Sequence, residues 1–215
     1  MKLHMVSLSL LVLCLTLAAV PAMAQVLYSN GDTNGAFDAL TINFGYAVSD
    51  SFPVLSASAT VTGAEFAMWL IEGDTLETAD LSITSGENGG TSYFNQVLNF
   101  TQSACSLNQY SYDICTESAS FSATFNSGTY WLNLQNAVTA EGNPVYWDEN
   151  EGPSSASQSQ VGTLPSESFT VLGTTSGTTS TSTSTTGTSV PEPGSIMLFG
   201  SGILALAGVL RRKLF

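Results

Sequence analysis

The sequence predicts an all-β fold, an antiparallel β-sandwich or jelly roll, and three observations predict it. Large apolar residues alternate with small or polar ones over short runs. Turn residues recur between those runs, and no stretch of the body keeps an apolar i, i+3, i+4, i+7 pattern for three turns. Short strands with turns at intervals of about 8–12 residues are the signature of stacked antiparallel sheets. The predicted body spans residues 25–172, and the sequence changes character at each end.

Within the body, Leu40-Thr41-Ile42-Asn43-Phe44-Gly45-Tyr46-Ala47-Val48 places a large apolar side chain at every second position. Phe66-Ala67-Met68-Trp69-Leu70-Ile71 is denser, as expected of a central strand covered on both faces. Ser120–Phe125 and Tyr130–Leu134 alternate again, and Tyr130 and Trp131 point to opposite faces, so one of them belongs to the core. Turn signals separate these runs at Asn30-Gly31, Asn34-Gly35, Glu72-Gly73-Asp74, Glu87-Asn88-Gly89-Gly90, Ser127-Gly128 and Glu141-Gly142-Asn143-Pro144.

Charge excludes more than it permits. The four basic residues of the 215-residue chain are Lys2, Arg211, Arg212 and Lys213, and the one histidine is His4. From Gln25 to Val190 there is no Lys, Arg or His, while every acidic residue except Glu192 lies there. A nucleic-acid partner is excluded, because phosphate binding needs cations that release counterions. Ser-His-Asp or Cys-His catalysis lacks its imidazole, histidine-based zinc sites lack ligands, and Schiff-base chemistry lacks a lysine. The carboxylates have no side-chain cation to pair with and repel one another. The body is therefore expected to gain stability as pH falls towards about 4–5, or with millimolar calcium.

Both ends read as routing segments. Lys2, an apolar run from Val6 to Val20 and Ala22-Met23-Ala24 predict a signal peptide over residues 1–24, cut between Ala24 and Gln25 by signal peptidase. Cys14 would be discarded with it. Residues 173–189 consist only of Gly, Ser and Thr, a linker with nothing apolar to bury. Val190-Pro191-Glu192-Pro193-Gly194-Ser195 follows, then an apolar run from Ile196 to Leu210 and the cluster Arg211-Arg212-Lys213. A transmembrane helix is expected over 194–210, with the basic tail cytoplasmic and the body periplasmic or extracellular.

Pro191-Glu192-Pro193, a short Gly/Ala-rich hydrophobic helix and a terminal Arg-rich cluster together resemble the PEP-CTERM sorting signal of exported bacterial proteins, over residues 190–215. The resemblance implies recognition by an exosortase, cleavage near the Pro-Glu-Pro motif, and surface association in a polysaccharide-producing Gram-negative bacterium. The body resembles uncharacterised β domains that accompany this signal, a likeness that carries no site residues. Exopolysaccharide is the partner the sorting-signal resemblance suggests, in a biofilm or cell-surface setting.

Cys105 and Cys115 are the only body cysteines. In an exported chain, a lone pair so close in sequence predicts one disulfide closing a local loop, stabilising by about 3 kcal/mol. No metal or catalytic residue is expected and the body reads as non-enzymatic. Calcium is the one candidate cofactor. Asn30-Gly31-Asp32-Thr33-Asn34-Gly35-Ala36-Phe37-Asp38 resembles part of an EF-hand loop, with Thr41 where a bidentate Glu belongs. Asp148-Glu149-Asn150-Glu151 is the densest acidic run. Trp147 beside Asp148 and Asn150 is the candidate sugar-binding set, an aromatic platform with polar neighbours. A carboxylate pair drawn from Asp148, Glu149 and Glu151 would be the basis of a glycan hydrolase, the remaining alternative.

Overall fold

The computed structural model describes residues 24–36 and 38–175. Eleven strands run in chain order: β1 (Gln25–Ser29), β2 (Ala39–Thr41), β3 (Ala47–Ile71), β4 (Leu76–Gly86), β5 (Gly89–Asn99), β6 (Thr101–Leu107), β7 (Tyr112–Thr139), β8 (Val145–Asp148), β9 (Ala156–Gln158), β10 (Gly162–Leu164) and β11 (Phe169–Thr175). All belong to one hydrogen-bonded sheet with antiparallel pairing, and the described residues contain no helix. The all-β antiparallel class read from the alternation is the class the described residues adopt.

Two long strands organise it. β3 has 25 residues and β7 has 28, and they pair from Ala47↔Gln135 to Ile71↔Tyr112. The turn expected at Ser127-Gly128 is absent: both runs around it belong to the continuous β7, and Gly128 pairs with Val54. Three strands line the other side of β3: β9 along Val48–Asp50, β11 along Ala59–Phe66 and β8 along Met68–Leu70. On the far side of β7, β6 covers its first half and β4, with β5 beyond, covers its second.

The inward set of β3 changes parity along its length. Val48, Phe52 and Val54 are buried at even positions, Ala59 and Val61 at odd ones, and Ala64, Phe66, Met68 and Leu70 at even ones again. The changes fall at the register shifts between Val54 and Ser58 and between Val61 and Gly63. An extra residue at such a point turns the following side chains to the other face, which bends the strand while keeping its apolar side inward. Gly63 sits at the second shift, where a Cβ would come within 2.7 Å of the Ala119 carbonyl oxygen.

This bending closes the sheet over one core. β5 bonds only to β4, yet the Phe94 ring lies 4.7 Å from that of Phe121 in β7. Buried residues from both ends of the ribbon share one cluster, among them Val48, Phe66, Leu81, Leu132 and Val171. β11 continues to Thr175, three residues past the boundary expected at Leu172, with Gly173, Thr174 and Thr175 paired to Val61, Thr60 and Ala59. No helix among the described residues is long and apolar enough to cross a membrane. The expected helix over 194–210, the sorting residues Pro191, Glu192, Pro193, Arg211, Arg212 and Lys213, and signal residue Ala22 lie outside the described residues. Ala24 is exposed and Gln25 opens β1.

Candidate functional site

The polar centre of the molecule lies where β1, β3, β8 and the segment before β11 meet. Asp148 closes β8 and is fully buried. Its carboxylate accepts the Trp69 indole N–H at 2.5 Å and the backbone N–H groups of Asn34 and Gly35 at 3.0 and 3.1 Å. Burial lifts its pKa above the usual aspartate range, and those three donors oppose the rise.

Asp50 is buried because β9 covers its stretch of β3. It accepts the backbone N–H groups of Ser51 at 2.5 Å and Glu167 at 2.7 Å, and the Asn30 amide at 3.0 Å. Burial pushes it up to about 6, against the lowering effect of Ser154 and the Glu167 and Ser51 amides. The Asn30 amide nitrogen also lies 2.6 Å from the Ser154 and Ser166 hydroxyls and the Glu167 carbonyl. Tyr28 donates its hydroxyl to Asn30 Oδ1 at 2.6 Å. Burial and the nearby Asp50 raise the Tyr28 phenol to about 12.

Glu167 differs from both aspartates. It is fully buried, and neither carboxylate oxygen has a hydrogen-bond partner. Burial holds its pKa well above the glutamate range, reinforced by Asp50, Glu149, Asp148 and Asp38 in that order. Glu149 is half-buried and is raised by burial, Asp38 and Asp148. Beside Asn150 lies an open hollow of about 340 Å³, whose lining includes Asp32, Asn34 and Glu151 but none of Asp50, Asp148, Glu149 and Glu167.

A second isolated carboxyl, Glu117, lies on β7 opposite Phe66 and Gln102. Both its oxygens are without partners, and burial alone pushes it up to about 7. Two residues away, Cys115 is bonded to Cys105. Gln102 donates its side-chain amide to both sulfurs, at 2.8 Å and 2.9 Å.

The sugar-binding set is placed inside. Trp147 is fully buried, packed edge-on against Phe66 and Phe169, and its indole N–H donates to the Ser168 carbonyl at 2.9 Å. It presents no face to a sugar, because β8 is flanked by β2 and β3 and faces the core. Asp148 serves Trp69 and the turn at Asn34-Gly35. Asn150 is buried too: its amide donates to the Asn30 carbonyl at 2.7 Å and its Oδ1 accepts the Gly152 N–H at 2.9 Å. Nor does the 30–38 segment fold as a calcium loop, since Asn30 turns into the interior while Asp32 and Asp38 stay exposed. Among the described residues no three His, Cys, Asp or Glu side chains form a ready metal cage. Tyr130 is the core residue of its pair, and Trp131 is partly exposed.

Beyond the described residues, residues 189–213 match the family model of the PEP-CTERM protein-sorting motif. The chain carries a PEP-CTERM sorting motif. The motif makes it an exported protein, anchored in the membrane before an exosortase processes it. The match covers the sorting segment and leaves the β domain unassigned. No curated protein and no solved structure matches the chain.

Proposed function

We propose that the protein is a non-catalytic surface or extracellular-matrix component, associated with exopolysaccharide in a biofilm and released or displayed after exosortase processing. The observation that carries this reading is the PEP-CTERM motif at 189–213 behind a β domain whose central carboxylates face inward. Asp50 and Asp148 are occupied by N–H donors and shielded from solvent, which is support for a scaffold role over a hydrolytic one. The test is mass spectrometry of the protein from its native host, with and without replacement of Pro191, Glu192 and Pro193 by alanine. The wild-type chain is expected to begin at Gln25, end near the motif and appear in the matrix fraction. The triple variant is expected to stay full-length at its C-terminus and membrane-bound. Identical processing of both would reject the reading.

A carbohydrate-binding role is the second reading. With Trp147 buried, Tyr110 supports it best: its ring is half exposed and stacks on Trp69 at 6.0 Å, beside the exposed Gln109. Retention on the host's exopolysaccharide that Tyr110→Ala lowers by about twofold to tenfold would favour it, since aromatic stacking contributes on the order of 0.5–1.5 kcal/mol. Retention unchanged by that substitution would count against it.

A further inference from the structure

Three acidic residues stand side by side on adjacent segments. The register that pairs Ala39 with Asp148 continues to Asp38 and Glu149, where the Glu149 N–H donates to the Asp38 carbonyl at 3.1 Å. Glu149 in turn forms an antiparallel bridge with Glu167. Opposed residues of antiparallel segments project to the same face, and like charges there are unfavourable. Solvent exposure falls along the row, from the exposed Asp38 through the half-buried Glu149 to Glu167 at 0%. The row thus runs from water to a buried carboxylate whose two oxygens no donor reaches.

Nothing in the body can neutralise that row by ion pairing, because Lys, Arg and His are absent between Gln25 and Val190. Asp50 and Asp148, whose charges reach Glu167, are occupied by N–H groups and add to the negative potential. An unpaired buried carboxylate is costly, and a bound cation is one way such a group is stabilised. We propose that the row Asp38, Glu149 and Glu167 binds one hard divalent cation of calcium's class, with Glu167 as the inner ligand and the two outer carboxylates closing from the solvent side. The donors are all oxygen, which excludes metals that prefer nitrogen or thiolate. Calcium accepts six to eight oxygens in flexible geometry, whereas magnesium demands a near-ideal octahedron and sheds water reluctantly. The side chains do not form a ready cage, so the ion draws in Asp38 and Glu149, which have the exposure to rotate. The inference does not depend on the matrix role.

The test uses the full-length chain in detergent, stripped of metal by EDTA and melted near neutral pH. Millimolar calcium chloride is compared with magnesium chloride and with sodium chloride of equal ionic strength. Calcium is expected to raise the melting temperature by about 5 °C beyond the salt control. Glu167→Gln is expected to abolish that shift, Asp38→Asn to weaken calcium binding about tenfold, and the distant Glu72→Gln to leave it unchanged. Asp38 is exposed, so its variant carries the test even where Glu167→Gln fails to fold. A wild-type melt indifferent to calcium overturns the site. So does a shift that survives Asp38→Asn but is lost in Asp32→Asn or Glu151→Gln, which would place the ion in the hollow by Asn150.

Discussion

The indole N–H of Trp69 points at the carboxylate of Asp148, 2.5 Å away, and ties the C-terminal end of β3 to the end of β8. The same carboxylate caps the backbone at Asn34 and Gly35, so one buried group holds three segments remote in sequence. Asp148→Ala is expected to destabilise the domain by about 3 kcal/mol, because it leaves buried donors unpaired. Asp148→Asn, which keeps an acceptor oxygen, should cost about half as much. Urea denaturation monitored by tryptophan fluorescence measures both, and a loss below about 1 kcal/mol in the alanine variant would rule out the anchor.

Gly152 lies against the Asn30 hub. A Cβ there would run into the Asn30 carbonyl oxygen, and would come within 2.7 Å of the Ser166 hydroxyl and 2.9 Å of Asn150 Oδ1. Gly152→Ala should therefore cost about 1–3 kcal/mol by overpacking. Gly142→Ala, which has open space around its Cβ, pays only for its positive φ of 73° and should cost less. Thermal melts of the two variants side by side test the difference.

Glu117 gives a pH dependence whose sign can be worked out. Its folded pKa, about 7, lies above the ordinary value of 4.5, so the native state holds its proton while the unfolded state releases it. Stability is full below about pH 4.5 and falls as pH rises towards 7, with a slope of up to about 1.4 kcal/mol per pH unit, then levels off. Asp50, with its pKa near 6, adds a loss in the same direction over a lower window. In Glu117→Gln the fall between pH 5 and 7 should be shallower. A wild-type stability that rises over that range would contradict the assignment.

Removing the disulfide should act locally. Cys105 and Cys115 are separated by ten residues and staple β6 to the start of β7. The Cys105→Ser, Cys115→Ser double variant should lose about 2–3 kcal/mol. Hydrogen exchange should quicken first in β6, where most side chains are exposed, and spare the β3–β7 centre.

Much of this architecture was legible in the residues. Alternation over Tyr130–Leu134 marks a strand because a half-covered sheet demands it. The alternating run Leu40–Val48, by contrast, is broken by a turn: β2 ends at Thr41, the Tyr46 N–H donates to the Asn43 carbonyl, Phe44 is exposed at a φ of 55°, and β3 begins only at Ala47. The turns at Glu72-Gly73-Asp74 and Glu141-Gly142-Asn143 are where Gly73 and Gly142 take positive φ. The long β7 was not legible, since Ser127-Gly128 has the composition of a turn and only pairing with Val54 holds it extended. The buried acids divide in the same way. Asp50 shares its parity with Val48 and Phe52, and Glu117 shares its own with Cys115 and Ala119, so an inward carboxyl was signalled by the pattern. Glu167 shares its parity with the buried Phe169 and Val171, but it stands between two serines ahead of β11, and its bridge to Glu149 and its N–H bond to Asp50 place it. Trp147 misleads for the opposite reason: a polar, turn-rich neighbourhood looks like surface, but those polar groups satisfy one another inside.

The position of β11 bears on how the domain withstands pulling. Tension arriving from the C-terminal side enters at Thr175, the last residue of a strand that is hydrogen-bonded to β1 on one side and to β3 on the other. Drawing that strand out along its own axis means shearing two ladders together, not peeling an edge one rung at a time. A domain tugged by flowing water would hold at the point where the load is applied.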